Sequence, residues 1–343
     1  MIPVLIDAAT YERKAILDTY RSFIWTGRYY TPGDFQLILS PEAGSLIKIG
    51  DYIAREDVPD DVREFGIVEQ IRLGRDADGI ETMTVTGRSL LAIVERRIVA
   101  DQTVIDNKTL TAAVSTLLTD AIIAPVIPER EISNFTNDAG TIIADRVTIQ
   151  VTGKNLLETL TLLCERTGTG QKVTLVLGDF VYQLYQGQDK HTTMIFSDAY
   201  DNLGSADYIE NDSETITDAL VAGEGQGTAR TTVWATESSP SGLARREAYV
   251  DARDLSSDGG TIPPAEYEEQ LRERGLDALT FYTTAFSANV YLPAGSYRTS
   301  LNLGDLVTVQ NTRWGLTVTA RLVEVTEILD ETGAYTIRPT FGL

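Results

Sequence analysis

The sequence predicts a mainly β protein with an α+β insertion: two similar antiparallel β-barrels and a small α+β domain. Three observations predict it. Strand-like stretches with period two dominate residues 1–100 and 188–343. Residues 101–187 change to a helical period. A spaced set of Gly, Asp, Val and Glu positions near residue 50 returns near residue 304.

In residues 1–100 the run Tyr20–Tyr30 is rich in aromatic and β-branched side chains, which suit a pleated, half-buried surface. Thr31-Pro32-Gly33-Asp34 supplies a turn, after which Phe35, Leu37 and Leu39 alternate. Further strands are expected at Leu46–Ala54, Gly66–Leu73 and Glu81–Gly87, with a hairpin turn at Asp76–Gly79 between the last two.

Residues 101–187 read as the α+β domain. Asn107 is placed to cap a helix carrying Leu110, Val114, Leu117 and Ile122 on one face, ended by Pro125. Asn155 and Glu158 have capping-box spacing for a second helix through Leu156, Leu160, Leu163 and Cys164, closed by Gly168. A hairpin follows, with Val173, Leu175 and Leu177 before a turn at Gly178-Asp179.

Residues 188–343 return to strands, apart from a polar helix at about 262–280 in which Glu268 and Arg272 sit four apart. Ser238–Gly260, full of Ser, Gly, Pro and Asp, reads as an exposed loop.

The repeat is the most informative feature. Gly50-Asp51 is followed by Val68-Glu69, a turn at Asp76–Gly79 and a strand ending in Gly87. Gly304-Asp305 is followed by Val323-Glu324, a turn at Asp330–Gly333 and a strand ending in Gly342. The first interval is 18 residues in one copy and 19 in the other, so one added residue would reconcile them. Each Gly-Asp is expected to open a strand from a tight turn, Gly taking positive φ and Asp bonding local backbone. Two such units in one chain point to duplication.

Composition narrows the function. The 29 Lys and Arg against 50 Asp and Glu leave a formal charge of −21. A chain this acidic is not built to clamp nucleic acid, since phosphate binding depends on cations that release counterions. One Cys and one His exclude an internal disulfide and the usual Cys/His zinc sites. No run approaches the ~18 apolar residues of a membrane span, and the first residues lack a secretion signal.

Catalytic and ligand motifs do not assemble. Gly223-x-Gly225-x-Gly227 precedes a strand-like stretch, Thr228–Trp234, whereas a phosphate loop needs a helix N-terminus there. Counted from Asp76, the fifth and twelfth places of a calcium loop fall on Ile80 and Gly87, which offer no side-chain oxygen. His191 has no nucleophile motif near it, and Cys164 falls on an apolar helix face. Trp25, Tyr29, Tyr30 and Trp314 are expected to pack in cores. No catalytic, cofactor or metal residue is assigned.

One set of segments runs Trp25-Thr26-Gly27-Arg28-Tyr29 with Gly33 and Phe35, then Gly66–Glu69, Thr86–Leu91 and Arg96-Arg97. Towards the end come Tyr249–Arg253, Gly304–Val307 and Arg321–Thr326. In these segments the chain resembles the siphophage tail-hub family, the N-terminal structural part of tail-associated lysins, related to the baseplate hubs of contractile phages. The resemblance implies a non-enzymatic virion protein at the tail tip, a homotrimer whose two tube-type barrels per subunit make a ring of six. It implies as partners the distal tail protein ring, the tape-measure protein and other tail-tip proteins, with DNA passing without specific binding and no membrane anchor. It also implies no cofactor. The sequence departs from longer family members in stopping at the second barrel, so lytic or receptor-binding domains are expected on other chains. A carbohydrate-binding adsorption module is the alternative, motivated by 15 Tyr residues on β-rich segments.

Overall fold

The computed structural model describes residues 1–58, 63–138, 143–280, 283–290, 292 and 296–342, and for 205, 206 and 283–289 the backbone alone. The first region contributes β1 (Pro3–Ile6), β2 (Arg13–Ile16), β3 (Ser22–Arg28), β4 (Asp34–Leu39), β5 (Tyr52–Arg55), β6 (Phe65–Arg75) and β7 (Glu81–Ser89). Alternation decides their faces: Phe35, Leu37 and Leu39 on β4 and Met83 and Val85 on β7 point inward, around Trp25 stacked on Phe35 with ring centroids 5.8 Å apart. Gly33 closes the β3–β4 turn because a Cβ there would lie 2.1 Å from the Thr26 carbonyl. The strand expected over Leu46–Ala54 is shorter. Residues before Tyr52 form successive tight turns, with Ile47 N donating to Gly44 O and Asp51 N to Lys48 O, and the strand begins only after Gly50.

The middle region holds β8 (Thr103–Thr109), α1 (Leu110–Leu118), β9 (Phe135–Asn137), β10 (Arg146–Val151), α2 (Leu156–Arg166), β11 (Gly170–Val176) and β12 (Asp179–Tyr185). Thr109, not Asn107, caps α1, its hydroxyl accepting from Ala112 N, because β8 runs on to Thr109. Asn155 caps α2 as its sequence suggests, accepting from Leu157 N and Glu158 N. The β11–β12 turn centres on Leu177-Gly178, both at positive φ, one residue earlier than expected. Apolar faces of both helices bury against these strands and against the segment Leu90–Arg96.

The last region contains β13 (Ile195–Ser197), β14 (Leu203–Asn211), β15 (Asp218–Ala222), β16 (Thr232–Thr236), β17 (Glu247–Asp251), α3 (Pro264–Leu276), β18 (Thr283–Val290), β19 (Leu306–Asn311), β20 (Leu316–Leu329) and β21 (Tyr335–Gly342). The stretch read as a loop, Ser238–Gly260, carries β17, paired in parallel with β15. Helix α3 covers one face of β16-β15-β17. Gly275 permits the close approach, since a Cβ there would meet Ala235 Cβ at 2.4 Å. On α3 Arg272 pairs with Glu269, three residues back, in place of Glu268.

The architecture is mainly β. The seven strands of the first region share one sheet with four of the last, eleven in all, in the order β13-β19-β20-β3-β4-β7-β6-β5-β1-β2, with β21 on the other edge of β20. Length explains the fusion. Strand β20 has 14 residues, so one edge pairs β19 along its first part and β3 along its second.

Candidate functional site at the seam between the repeats

Gly50 and Gly304 both sit at φ +91°, where an L side chain is strained. Gly50 N donates to Val68 O and Gly304 N to Leu322 O, each at 2.8 Å. Val68 N donates back to Asp51 O at 2.8 Å, and Leu322 N to Asp305 O at 2.9 Å. These bonds equate Val68 with Leu322, and therefore Glu69 with Val323, one residue away from the pairing of Val68-Glu69 with Val323-Glu324 expected from sequence. Both strands bulge at that place, between Val68 and Gln70 and between Leu322 and Glu324. Gly87 pairs with Val68 and Phe341 with Leu322, so Gly342 corresponds to Arg88 and not to Gly87. The offset is 304 − 50 = 254 residues from the Gly-Asp turn to the end of the last strand, with no residue inserted. A chance Val-Glu dipeptide one step further on shifted the reading.

The aspartates are built alike. Asp51 is buried and accepts from Lys48 N at 2.9 Å and Lys14 Nζ at 2.8 Å. Asp305 is buried and accepts from Asn302 N at 2.8 Å, Gln188 N at 2.7 Å and Lys190 Nζ at 2.7 Å. A buried carboxylate is tolerated when charged and backbone donors replace its water, and here one cation and local N–H groups do so twice. The distal turns match as well. Asp76 accepts from Asp78 N and Ile80 N, Asp330 from Thr332 N and Ala334 N, and Gly79 and Gly333 take φ of 82° and 81°.

The units meet where β3 pairs antiparallel with β20, from Arg28↔Glu324 to Phe23↔Leu329. Arg28 Nε lies 2.6 Å from Glu324 Oε2. Deeper in the seam Glu327, 1% exposed, receives Arg55 at 2.5 Å, Arg298 at 2.6 Å and the Tyr335 hydroxyl at 2.5 Å. Burial pushes the Glu327 carboxyl up, yet Arg298 and Arg55 together hold it below the ordinary range. Arg55 also grips Asp57 at 2.5 Å; burial opposes this, and the pair leaves Asp57 at about 2. Trp25 Nε1 donates to Glu64 at 2.6 Å on the same side.

Tyr29, fully buried, pins three parts of the chain. Its hydroxyl donates to the Gly168 and Tyr185 carbonyls and accepts from Gly187 N, and its ring fills the space a Cβ on Gly170 or Gly304 would need. Beside it a cavity of about 300 Å³ lies among Gly27, Arg28, Glu64, Tyr185, Arg298 and Asp305. Trp25 and Tyr29 pack in cores as expected. Trp314 does not; it is half-exposed in the β19–β20 turn.

The remaining chemical candidates fall elsewhere. His191 is exposed, its Nδ1 2.5 Å from Asp189. Cys164 is buried under α2, and burial pushes its thiol up to about 12. Gly223–Gly227 leads into a three-residue 3-10 turn and then β16, with no helix N-terminus behind it. Among the described residues no group of three or more His, Cys, Asp or Glu could hold a metal ion, and no helix is long and apolar enough to cross a membrane.

Strands of the first and last regions joined in one sheet, with charge buried where β3 meets β20, give the fold of phage tail proteins. The tail protein of Neisseria meningitidis MC58 superposes with a TM-score of 0.57 at 14% identity, over 99% of this chain and 95% of that one. The 43 kDa tail protein of prophage MuSo2 from Shewanella oneidensis gives 0.55 at 15%, over 99% and 98%. The prophage tail protein gp18 of Listeria monocytogenes EGD-e gives 0.55 at 13%, over 99% and 93%. No curated protein sequence matches. The family model described as Siphovirus ReqiPepy6 Gp37-like protein matches residues 3–343, and the chain belongs to that family of siphovirus tail proteins.

Proposed function

We propose that this chain is the structural hub of a phage tail tip, acting through interfaces and not through bond chemistry. Three copies, each divided at about residues 100 and 187, would form a ring in which two barrel-like units per subunit give six, matching a six-fold tube to a three-fold tip. The observation that carries this is the repeat at constant offset, Gly50/Gly304 and Asp51/Asp305, joined edge to edge by β3 and β20. A duplicated unit that already pairs with its copy is the element a pseudo-six-fold ring needs. The distal tail ring and the tape-measure protein are its neighbours in this reading. The charge of −21 suits a passage that lets DNA slide without specific contact.

Light scattering and native mass spectrometry on the purified chain test the proposal. A trimer that binds a tail-ring protein is the expected result, and a stable monomer that binds no tail protein overturns it.

A carbohydrate-binding module has one observation in its favour, Trp234, Leu220 and Tyr249 aligned across β16-β15-β17 on the face away from α3. Arg245 and Arg230 already lie over those two rings, at 4.8 and 6.0 Å, where a sugar would have to stack. The hub reading is preferred, and glycan-array binding by the full chain would reverse that preference.

A further inference from the structure

The two repeats differ in one respect that the offset makes visible. The second part of β20, Glu324–Leu329, is covered along one edge by β3. Its counterpart in the first repeat, Gln70–Arg75 of β6, pairs with β7 on one side, and among the described residues no strand pairs with its other side. Unpaired edges of this length are ordinarily blunted, because their free N–H and C=O groups recruit other strands.

The side chains carry the same message. Ile71 and Leu73 point to the face of the first core; Ile71 packs partly against it, but Leu73 is 67% exposed. Their counterparts, Val325 and Glu327, are both 1% exposed, in the stretch that β3 covers.

We propose that the outer edge of β6, Gln70–Arg75, accepts β14 of a second copy of this chain, in the manner in which β20 accepts β3 within one chain. The proposal rests on the hub reading and names its subunit contact. β14 is the matching strand because it holds in the second repeat the place of β3. β3 leads through β4 to β7 and β6; β14 leads through its antiparallel partner β18 to β21, beside which β18 runs, and so to β20. Among the described residues β14 pairs with β18 alone. Charge fits too: β6 carries Arg72 and Arg75, and β14 carries Asp207 and Glu210, opposite signs as in the Arg28–Glu324 pair at the existing seam. Repeating the step three times closes a ring of alternating intrachain and interchain seams with no edge left open.

Leu73→Asp and Ile209→Asp test it on the full chain, both at exposed positions where the lone subunit keeps its fold. The expected result is a wild-type trimer, with both variants monomeric at the same concentration and unchanged in far-ultraviolet circular dichroism. Hydrogen exchange gives a second measurement that does not depend on the variants: amides of 70–75 should exchange at least tenfold more slowly in the trimer than in the dissociated chain. Variants that remain trimeric, or fast exchange of 70–75 within a trimer, overturn the β6–β14 contact and leave the hub reading standing. A wild-type chain that stays monomeric and binds no tail protein overturns both. Protection of 70–75 that appears only when a different tail protein is added assigns the edge to that partner and overturns the second copy as its occupant.

Discussion

Leu73 and Glu327 hold the same position in the two repeats, yet one lies 67% exposed and the other is closed into a seam with two arginines. The difference follows from what covers each strand. β3 removes Glu327 from water, and the carboxylate is tolerated there because Arg55, Arg298 and Tyr335 replace its hydration. Removing the carboxylate leaves two buried guanidinium groups short of a partner. Glu327→Ala should therefore destabilise the chain by about 3–5 kcal/mol, against the ~1 kcal/mol of an average substitution. Urea unfolding followed by tryptophan fluorescence measures it, and a loss below 1 kcal/mol would show that the seam charges do not hold the units together.

The same network sets a response to acid. Glu327 and Asp57 are both held below their ordinary values in the folded chain, Asp57 at about 2. The unfolded chain therefore takes up protons first as pH falls, so the stabilisation is complete above about pH 4.5 and is lost on descending towards pH 2. Asp57 alone accounts for ~2 kcal/mol of that loss, by the conversion of pKa difference into free energy. Melting temperature measured from pH 6 to pH 2.5 should fall steeply below pH 4.5, and the fall should be shallower in Glu327→Gln. Equal slopes in the two proteins would remove Glu327 from the account.

The two Gly-Asp turns were readable from residue types, and the reason is local. Gly50-Asp51 and Gly304-Asp305 advertise a positive-φ turn whose carboxylate bonds its own loop, and no distant partner is needed to recognise that. The helices α2 and α3 were equally plain, one from its Asn155 cap and the other from its polar pattern after Pro264. The seam was not readable. Arg55 and Glu327 are 272 positions apart and look like two ordinary surface charges until β3 and β20 come together. The one-residue slip in aligning Val68-Glu69 came from the bulge, where a residue is passed over in the pairing and its side-chain type is unconstrained. Strand β17 was missed because Ser, Gly and Asp around it signal a loop, and its parallel pairing with β15 is a tertiary effect.

The two turn glycines give a paired comparison. At Gly50 a Cβ would meet nothing within 4 Å, so Gly50→Ala suffers only the backbone strain at φ +91°, about 1–3 kcal/mol. At Gly304 the same Cβ would lie 2.2 Å from the Tyr29 ring, which is itself pinned by the Gly168 and Tyr185 carbonyls. Overpacking should add about 1–3 kcal/mol. Chemical denaturation is expected to rank Gly304→Ala as the less stable protein, and Tyr29→Leu in the Gly304→Ala background should recover part of the difference. If the two single variants unfold together, Tyr29 is not the rigid pin the packing describes.

Cys164 offers a reading of the middle region independent of the seam. Its side chain lies on the buried face of α2 among Leu160, Leu163 and Tyr182, and burial pushes the thiol up to about 12. Thiolate is the reactive form, so at pH 8 the folded chain holds almost none of it, and a reagent must also wait for the helix to open. Labelling with a disulfide reagent should therefore be at least 100-fold slower than in the urea-unfolded chain. Seam variants such as Glu327→Ala separate two outcomes. If the α+β region opens on its own, their labelling rate stays at the wild-type value. If it opens only with the whole molecule, the rate rises with the loss of global stability, which Tyr29 predicts by tying Gly168 and Tyr185 to the strand that carries the seam.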